Sequence, residues 1–335
     1  MRRIAFLLPL FLFGCSLIQA PVQKTQLVGE AQGTYYSIIY FDEQSRDFQE
    51  QIDSILDKFD MSVSLWEPNS ILSKINSNDT NVIIDKHFID NFNISEDVAN
   101  QTDGAFDFTV GKLAKAWGFG FDETKNIDSS MIDNLLKITG YQKVKIVNNK
   151  VVKEFAETTF DFNAVAQGYS VDLVGEFLES KNIHNYLVDI GGEVKAKGSK
   201  PDGSKWKIGI EKPAKNINDE RDLKAIAQLE DISIATSGNY RKFYVENGIR
   251  YSHTINPQTG YSARNNLLSV SVLHNSTAYA DAFATAFMVM GYKKAKDFVE
   301  KNDELEAFFI YSTTDGLYET YATEGFKKVI TEEFK

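Results

Sequence analysis

The chain contains one cysteine among 335 residues, and this cysteine lies near the beginning, at position 15. The residues that follow it offer no thiol for a disulfide, a zinc–thiolate site or a cysteine nucleophile. A fold of this length must therefore be stabilised by a hydrophobic core. The composition supplies one, because 43% of the residues are hydrophobic and 13% are aromatic. We expect one large globular domain or two intimate ones.

The residues before Cys15 are typical of an export signal. Arg2 and Arg3 precede an uninterrupted apolar run from Ile4 to Phe13, which is too short to span a bilayer. This run leads into Leu12-Phe13-Gly14-Cys15, which resembles the lipobox of bacterial lipoproteins, where cleavage precedes a cysteine that is then acylated. The alternative is an unmodified cysteine in the core.

This interpretation divides the chain into a signal peptide at 1–14, a lipidated tether at 15–26 and a globular domain at 27–335. The formal net charge of −11 argues against nucleic acid as a partner, because phosphate binding needs clustered lysines and arginines. An acidic surface is also repelled by anionic lipid headgroups. We therefore expect a lipid anchor to hold an exported, periplasm-facing protein at a bacterial membrane.

Helical and strand patterns alternate without a regular βαβ rhythm, so the expected fold class is α+β, with mixed sheets and flanking helices. Helices are predicted at 48–60, 88–102, 164–180, 277–290 and 292–302, with Asn163 as a cap of the third. Strands are predicted at 34–41, 186–190, 193–197, 206–211, 267–273 and 305–312, and hairpins around Asn148-Asn149 and Asn247-Gly248. A terminal hairpin is predicted after residue 312.

Several familiar sites are missing from the sequence. The four histidines never pair at a metal-ligand spacing, and there is no P-loop, Rossmann glycine motif or G-x-S-x-G elbow. Instead, Gly, Asp, Thr and Asn crowd together in five short stretches between apolar segments. These stretches are 104–109 (GAFDFT), 161–164 (DFNA), 189–193 (DIGGE), 236–240 (TSGNY) and 280–286 (ADAFATA). Each alone can be a turn or a cap, but five in one chain favour a shared pocket.

The last stretch has the clearest geometry. Asp281 and Thr285 are four residues apart, so on a helix their oxygen atoms lie on one face, flanked by alanines that leave room for a ligand. A carboxylate, a hydroxyl and a nearby carbonyl form an oxygen set that suits Mg²⁺. The alternative is a helix that packs closely through its alanines, with Thr285 bonded back to the preceding turn.

Together these stretches resemble the ApbE family of FAD:protein FMN transferases, over nearly the whole chain after the leader. The shared motifs are D-x-x-x-x-A-x-G-Y from 161, D-I-G-G-E from 189, A-T-S-G-x-Y from 235, S-H-x-I-x-P-x-T-G from 252 and A-D-A-x-A-T-A from 280. The resemblance implies Mg²⁺-dependent transfer of FMN from FAD to a Ser or Thr hydroxyl of an exported acceptor protein, with release of AMP. Two alternatives remain: an FAD pyrophosphatase, and a lipoprotein that binds flavin without catalysis.

The resemblance also implies roles for particular residues. The metal would be bound by the backbone carbonyl of Ala164 and the side chains of Asp281 and Thr285. FAD would contact Gln32, Trp66, Ala105, Phe106, Asp107, Asp161, Gln167 and Ile255. His253 is the candidate base for the acceptor hydroxyl, because histidine titrates near neutrality, and Asp281 competes for this role. Trp66 can stack on a flat ring system, or it can instead anchor the end of the first helix.

Two of these positions depart from the pattern of many family members, which have Met where Gln32 stands and Lys where Gln167 stands. The missing lysine removes a cation that would offset pyrophosphate charge. Lys112, Arg241 and Lys242 are the candidates to replace it.

Overall fold

A computed structural model describes residues 22–118, 127–213, 222–239, 243–246, 249–252, 254–315 and 317–334, with the backbone alone at 243–246 and 249–252. Cys15, His253 and the leader therefore lie outside the described residues, as do Arg241 and Lys242. The described chain mixes helices with antiparallel sheets, which confirms the α+β class. None of its helices is both long and apolar enough to cross a membrane.

The strands, in chain order, are β1 (Gln23–Ala31), β2 (Thr34–Asp42), β3 (Val144–Val147), β4 (Lys150–Lys153), β5 (Tyr186–Ile190), β6 (Glu193–Lys197), β7 (Trp206–Glu211), β8 (Leu223–Leu229), β9 (Ile232–Gly238), β10 (Phe243–Glu246), β11 (Ile249–Ser252), β12 (Leu267–His274), β13 (Glu306–Ser312), β14 (Tyr318–Ala322) and β15 (Ile330–Glu333). The α-helices are α1 (Gln49–Val63), α2 (Ile71–Asn76), α3 (Lys86–Gln101), α4 (Gly111–Ala116), α5 (Ser129–Ile138), α6 (Ala166–Ser180), α7 (Thr277–Met290), α8 (Tyr292–Val299) and α9 (Glu324–Lys327). A short 3₁₀ helix covers Tyr141–Lys143.

The main sheet has eight strands in the order β1-β2-β5-β6-β9-β12-β13-β14, and every neighbouring pair is antiparallel. Strand β2 shows why these segments extend. Tyr36, Ile38 and Tyr40 are buried while the residues between them are partly exposed, as expected for a strand with one face on the core. A second sheet, in the order β15-β8-β7, packs on the other face of the main sheet through Trp206, Ala225 and Ala227.

Helices α6 and α7 cover the first face of the main sheet, on strands β5, β6, β9 and β12. Helix α7 is apolar nearly all round, and ten of its fourteen residues are buried. A helix with this composition has to lie inside the protein, because no face of it suits water. It therefore sits between α3, α6 and the sheet, at the centre of the largest hydrophobic cluster.

Three local predictions were wrong. Asn163 does not cap a helix: its backbone amide donates to the Asp161 carboxylate at 2.9 Å, and α6 begins only at Ala166. A short aspartate turn competes with the helix start here and prevails. No terminal hairpin forms from the last two strands, because β14 pairs with β13 and β15 pairs with β8. Strand β1 begins at Gln23, inside the segment predicted as a tether.

Candidate active site

The first turns of α6 and α7 meet at a direct contact between backbone and side chain. The Gly168 amide donates to Oδ2 of Asp281 at 3.1 Å. The helices come this close because residue 168 has no side chain: a Cβ there would lie 2.4 Å from the carbonyl oxygen of Thr277 and 2.9 Å from Cα of Ala278. The glycine of the sequence motif is thus a packing requirement that brings Asp281 onto the start of α6.

The Asp281 carboxylate is buried, with 7% of the residue exposed, and this burial raises its pKa to about 7. Glu193 lies close enough for the two charges to interact. Burial first, and the Asp281 charge second, raise the pKa of Glu193 well above its usual range. Among the described residues, no lysine or arginine pairs with either carboxylate. A buried carboxylate beside a half-buried one, with no cation paired to either within the described chain, forms a site that a bound cation would stabilise.

The other two predicted metal ligands flank Asp281. Because the Gly168 amide bonds to Asp281, it does not donate to the Ala164 carbonyl, and within the described chain no other backbone amide donates to that carbonyl. Thr285 lies one turn after Asp281, and its hydroxyl is 3.3 Å from the hydroxyl of Ser237 on β9. A carboxylate, a free carbonyl and a hydroxyl are hard oxygen ligands that fit Mg²⁺.

No three His, Cys, Asp or Glu side chains form a metal-binding group anywhere in the described ranges. A cation at Asp281 would therefore need ligands from the backbone, from hydroxyl groups or from its substrate.

Two tight turns lie beside the start of α6. Gln167 donates from Nε2 to the carbonyl oxygen of Ile190 at 2.9 Å and also to the Glu193 carboxylate, so α6 is joined to the β5–β6 turn. Gln32, in the β1–β2 turn with φ of 55°, accepts from the Ser170 hydroxyl at 3.2 Å. Its Nε2 atom is buried and makes no hydrogen bond of normal geometry to a described residue. The Gln32 side chain does lie beside Asp60, where burial raises the pKa of the carboxyl to about 6 and Gln32 partly offsets this rise. An orphaned amide of this kind is suited to a ligand acceptor atom.

The loops 104–109 and 159–161 run side by side, joined by a parallel bridge between Val110 and Thr159 and by a 2.8 Å bond from the Asp161 amide to the Phe108 carbonyl. Asp107 is buried, and its carboxylate accepts from the amide and the hydroxyl of Thr109 and from the Tyr141 amide. Its side chain is thus occupied in shaping this loop. Burial raises the pKa of Asp161, which lies three residues before Ala164.

The remaining predicted flavin contacts are distributed differently. Ala105 and Phe106 are buried, the latter in the main core. The Trp66 residue is 58% exposed. Ile255 packs with Leu113 and other residues in a small separate cluster. The structure therefore brings Gln32, Gln167 and the metal-ligand candidates together, whereas Trp66 lies exposed and Ile255 packs in its own cluster.

Sequence reasoning missed three residues that shape the site. Asn76, at the end of α2, pairs with both backbone groups of Phe160 at 2.8 and 2.9 Å, and so holds the segment that leads to Asp161. Glu193 was noted only as part of a motif. Asp172 binds the start of α7. The spacing of Asp172 from Gly168, one helical turn, was the available indication that both face α7.

Comparison with known proteins identifies the family of the chain. The model of the ApbE family matches residues 32–309. The chain is 34% identical to an FAD:protein FMN transferase of Vibrio cholerae, over 96% of this chain and 97% of that protein, and 31% identical to one of Escherichia coli, over 97% and 95%.

Two solved structures also align closely with the fold. The flavin transferase of Vibrio cholerae has a TM-score of 0.82 at 33% identity, covering 92% of this chain and 100% of that one. The flavinyl transferase of Pseudomonas stutzeri, in its apo form, has a TM-score of 0.82 at 30% identity, covering 92% and 97%.

Proposed function

Because the chain belongs to the ApbE family, we propose that it is an FAD:protein FMN transferase whose chemistry takes place where α6 meets α7. The observation that carries the location is the buried Asp281 carboxylate, which has a raised pKa and accepts from the first turn of α6, near a carbonyl to which no described backbone amide donates. An ionised carboxylate is costly in such a place unless a cation binds it. Ionised Asp281 therefore destabilises the folded protein, and buried groups with such raised pKa values are common at functional sites.

We assign the metal position to the Ala164 carbonyl with the side chains of Asp281 and Thr285, and the expected ion is Mg²⁺. When bound there, Mg²⁺ would neutralise negative charge on the phosphates of FAD as AMP leaves. The protein supplies two oxygen atoms from α7 and one from the segment just before α6, and the Gly168 amide orients the carboxylate. The remaining ligands of the ion would then be water and substrate oxygen atoms.

We place FAD along the turns beside α6. Gln32 offers its Nε2, which has no hydrogen-bond partner of normal geometry in the described part of the chain, to an acceptor atom of the ligand. The backbone of the 104–109 loop lies on the far side of Asp161. Gln167 is held by Glu193 and by the Ile190 carbonyl, so it can present a fixed amide but no positive charge. The positive charge that offsets the pyrophosphate would then come from the metal ion, with Lys112, Arg241 and Lys242 as the candidate side chains to assist it.

The transferred FMN needs a nucleophile, which we assign to a Ser or Thr hydroxyl of an acceptor protein, so that this chain provides no nucleophile of its own. A phosphoester forms between that oxygen and the FMN phosphate as the phosphoanhydride bond to AMP breaks. The proton of the hydroxyl passes to a base, for which His253 is the candidate. The acceptor class that fits an exported enzyme is an exported redox protein.

We also propose that Cys15 carries the lipid that holds the enzyme on the periplasmic side of a membrane. The basic and apolar residues before it support this assignment, and the acidic charge of the chain leaves lipid as the simplest anchor.

The test uses the full-length protein in detergent, incubated with FAD and a candidate exported acceptor, with MgCl₂ or with EDTA. We expect AMP by chromatography and a fluorescent flavin band on the acceptor in a denaturing gel, both lost with EDTA and with Asp281→Asn. AMP release without any acceptor band would indicate a pyrophosphatase. FAD binding without metal-dependent AMP release would indicate a binding protein and overturn the proposal.

A further inference from the structure

We propose that Asp172 is a positioning residue for the metal site: it sets the register of α6 against α7, and through that register the separation of the Ala164 carbonyl from the Asp281 side chain. The inference rests on the proposed function, because it assigns Asp172 an effect on magnesium binding at those ligands. Asp172 itself touches neither Ala164 nor Asp281 in any described hydrogen bond, so its effect passes through the helices.

The two helices are joined by two rungs. One rung is the Gly168 amide on the Asp281 carboxylate. The other lies one turn further along α6, where Asp172 accepts from the amides of Thr277 and Ala278, both at 3.1 Å, one turn earlier in α7. The helices are therefore antiparallel, and the rungs are spaced by one turn on both of them. If α6 moves along α7 at the Asp172 rung, it must therefore also move at the Gly168–Asp281 rung.

The second rung uses the full capacity of the carboxylate. Oδ1 accepts from the Thr277 amide, the Thr277 hydroxyl at 3.0 Å and Nζ of Lys195 at 2.8 Å. Oδ2 accepts from the Ser276 hydroxyl at 2.7 Å and the Ala278 amide. Asp172 is buried, so these charge-assisted bonds are little screened by water. Lys195 belongs to β6, and the rung thereby fixes both helices to the sheet.

This arrangement goes beyond capping one helix. The local cap of α7 is Ser276, whose side chain accepts from the Tyr279 amide. Asp172, on α6, accepts from the amides of Thr277 and Ala278, the first two residues of α7. Helix α6 itself begins two residues after Ala164. The ligands on α7 and the ligand before α6 are thus held by one carboxylate that does not contact the ion. Such supporting residues typically change metal affinity by about 10–100-fold.

The variant Asp172→Asn keeps the shape of the side chain but replaces one acceptor oxygen by an NH₂ group, which cannot accept from α7. We expect the dissociation constant for MgCl₂, measured calorimetrically on the full-length protein in detergent, to rise at least about ten-fold. The magnesium concentration for half-maximal AMP release should rise in parallel, while the rate at saturating magnesium stays within about three-fold of wild type. Ser276→Ala, which removes one bond from the same rung, should shift magnesium binding less and in the same direction.

The matched control is Asp42→Asn. Asp42 is equally buried and accepts three bonds from Arg46, but it lies at the opposite end of β2 from the β1–β2 turn beside the site. The Asp42→Asn substitution should lower the melting temperature and leave the magnesium dissociation constant unchanged within about two-fold. If Asp172→Asn and Ser276→Ala both lower the melting temperature with unchanged magnesium affinity, Asp172 is only structural and the inference is wrong. If the wild-type protein binds no magnesium, the proposed metal site itself fails.

Discussion

Asp281→Asn should make the metal-free protein more stable at pH 8. The substitution keeps an oxygen that can accept from the Gly168 amide, and it removes a buried charge. In the folded protein burial raises the pKa of this carboxyl from 3.8 to about 7. The folded state therefore holds the proton more tightly than the unfolded state does. Stability from this group is present below pH 4 and is lost as the pH rises towards 7.

The size of the effect follows from the same two pKa values. Each change of one in pKa corresponds to about 1.4 kcal/mol. Ionisation of Asp281 therefore lowers the free energy of unfolding of the wild-type protein by about 4 kcal/mol at pH 8 and by about 1 kcal/mol at pH 4.5. Asn at position 281 avoids this loss. We expect its melting temperature in EDTA to exceed that of wild type by at least about 5 °C at pH 8, with a much smaller gap at pH 4.5.

The assay is thermal unfolding followed by circular dichroism, at both pH values, with EDTA and with MgCl₂. Magnesium should raise the melting temperature of wild type and leave that of Asp281→Asn unchanged, because only wild type has the ionised ligand. Asp42→Asn provides a control of opposite sign, since the Arg46 hydrogen bond lowers the pKa of Asp42 to about 2. That control should lose stability at pH 8. An Asp281→Asn protein no more stable than wild type at pH 8 in EDTA would refute the reasoning.

Three further substitutions test other parts of the site. Trp66→Ala should change the free energy of unfolding by less than about 0.5 kcal/mol, since the residue is 58% exposed. It should weaken FAD binding measured by flavin fluorescence, and unchanged affinity would remove Trp66 from the flavin site. Gly168→Ala places a methyl group 2.4 Å from the Thr277 carbonyl oxygen and should cost about 1–3 kcal/mol in urea unfolding, whereas an unchanged midpoint would contradict the close packing. Cys15→Ala should move the protein from the membrane pellet to the soluble fraction, and continued pelleting would exclude the lipid anchor.

Elements with local determinants were predicted well from the sequence. Helix α7 has the predicted bounds, because Ser276 accepts at its start and Gly291, with φ of 76°, ends it. The hairpin at Asn148-Asn149 forms with both residues at positive φ, as asparagine permits. Each of these signals lies within a few residues of the structure that it produces.

Features that depend on distant partners were not predictable in this way. The start of α6 is decided by an aspartate turn and by the Asp281 carboxylate, which is 113 residues away from the Gly168 amide. The pairing of β15 with β8 likewise joins segments about a hundred residues apart. Within the site, sequence motifs identified Asp107 as a polar residue, but only the fold shows that its carboxylate is already bonded to Thr109 and Tyr141.

The strand order of the main sheet affects when this protein can become active during its synthesis. Strand β12 lies between β9 and β13, and α7 follows it directly, so the interior of the molecule is completed by residues from the last quarter of the chain. A nascent polypeptide still lacking residue 281 has the turns beside α6 but neither helix α7 nor its carboxylate. Under the proposed function, a chain that still lacks residue 281 on the ribosome therefore cannot split FAD, and activity begins only after α7 has been synthesised and has packed between α6 and the sheet.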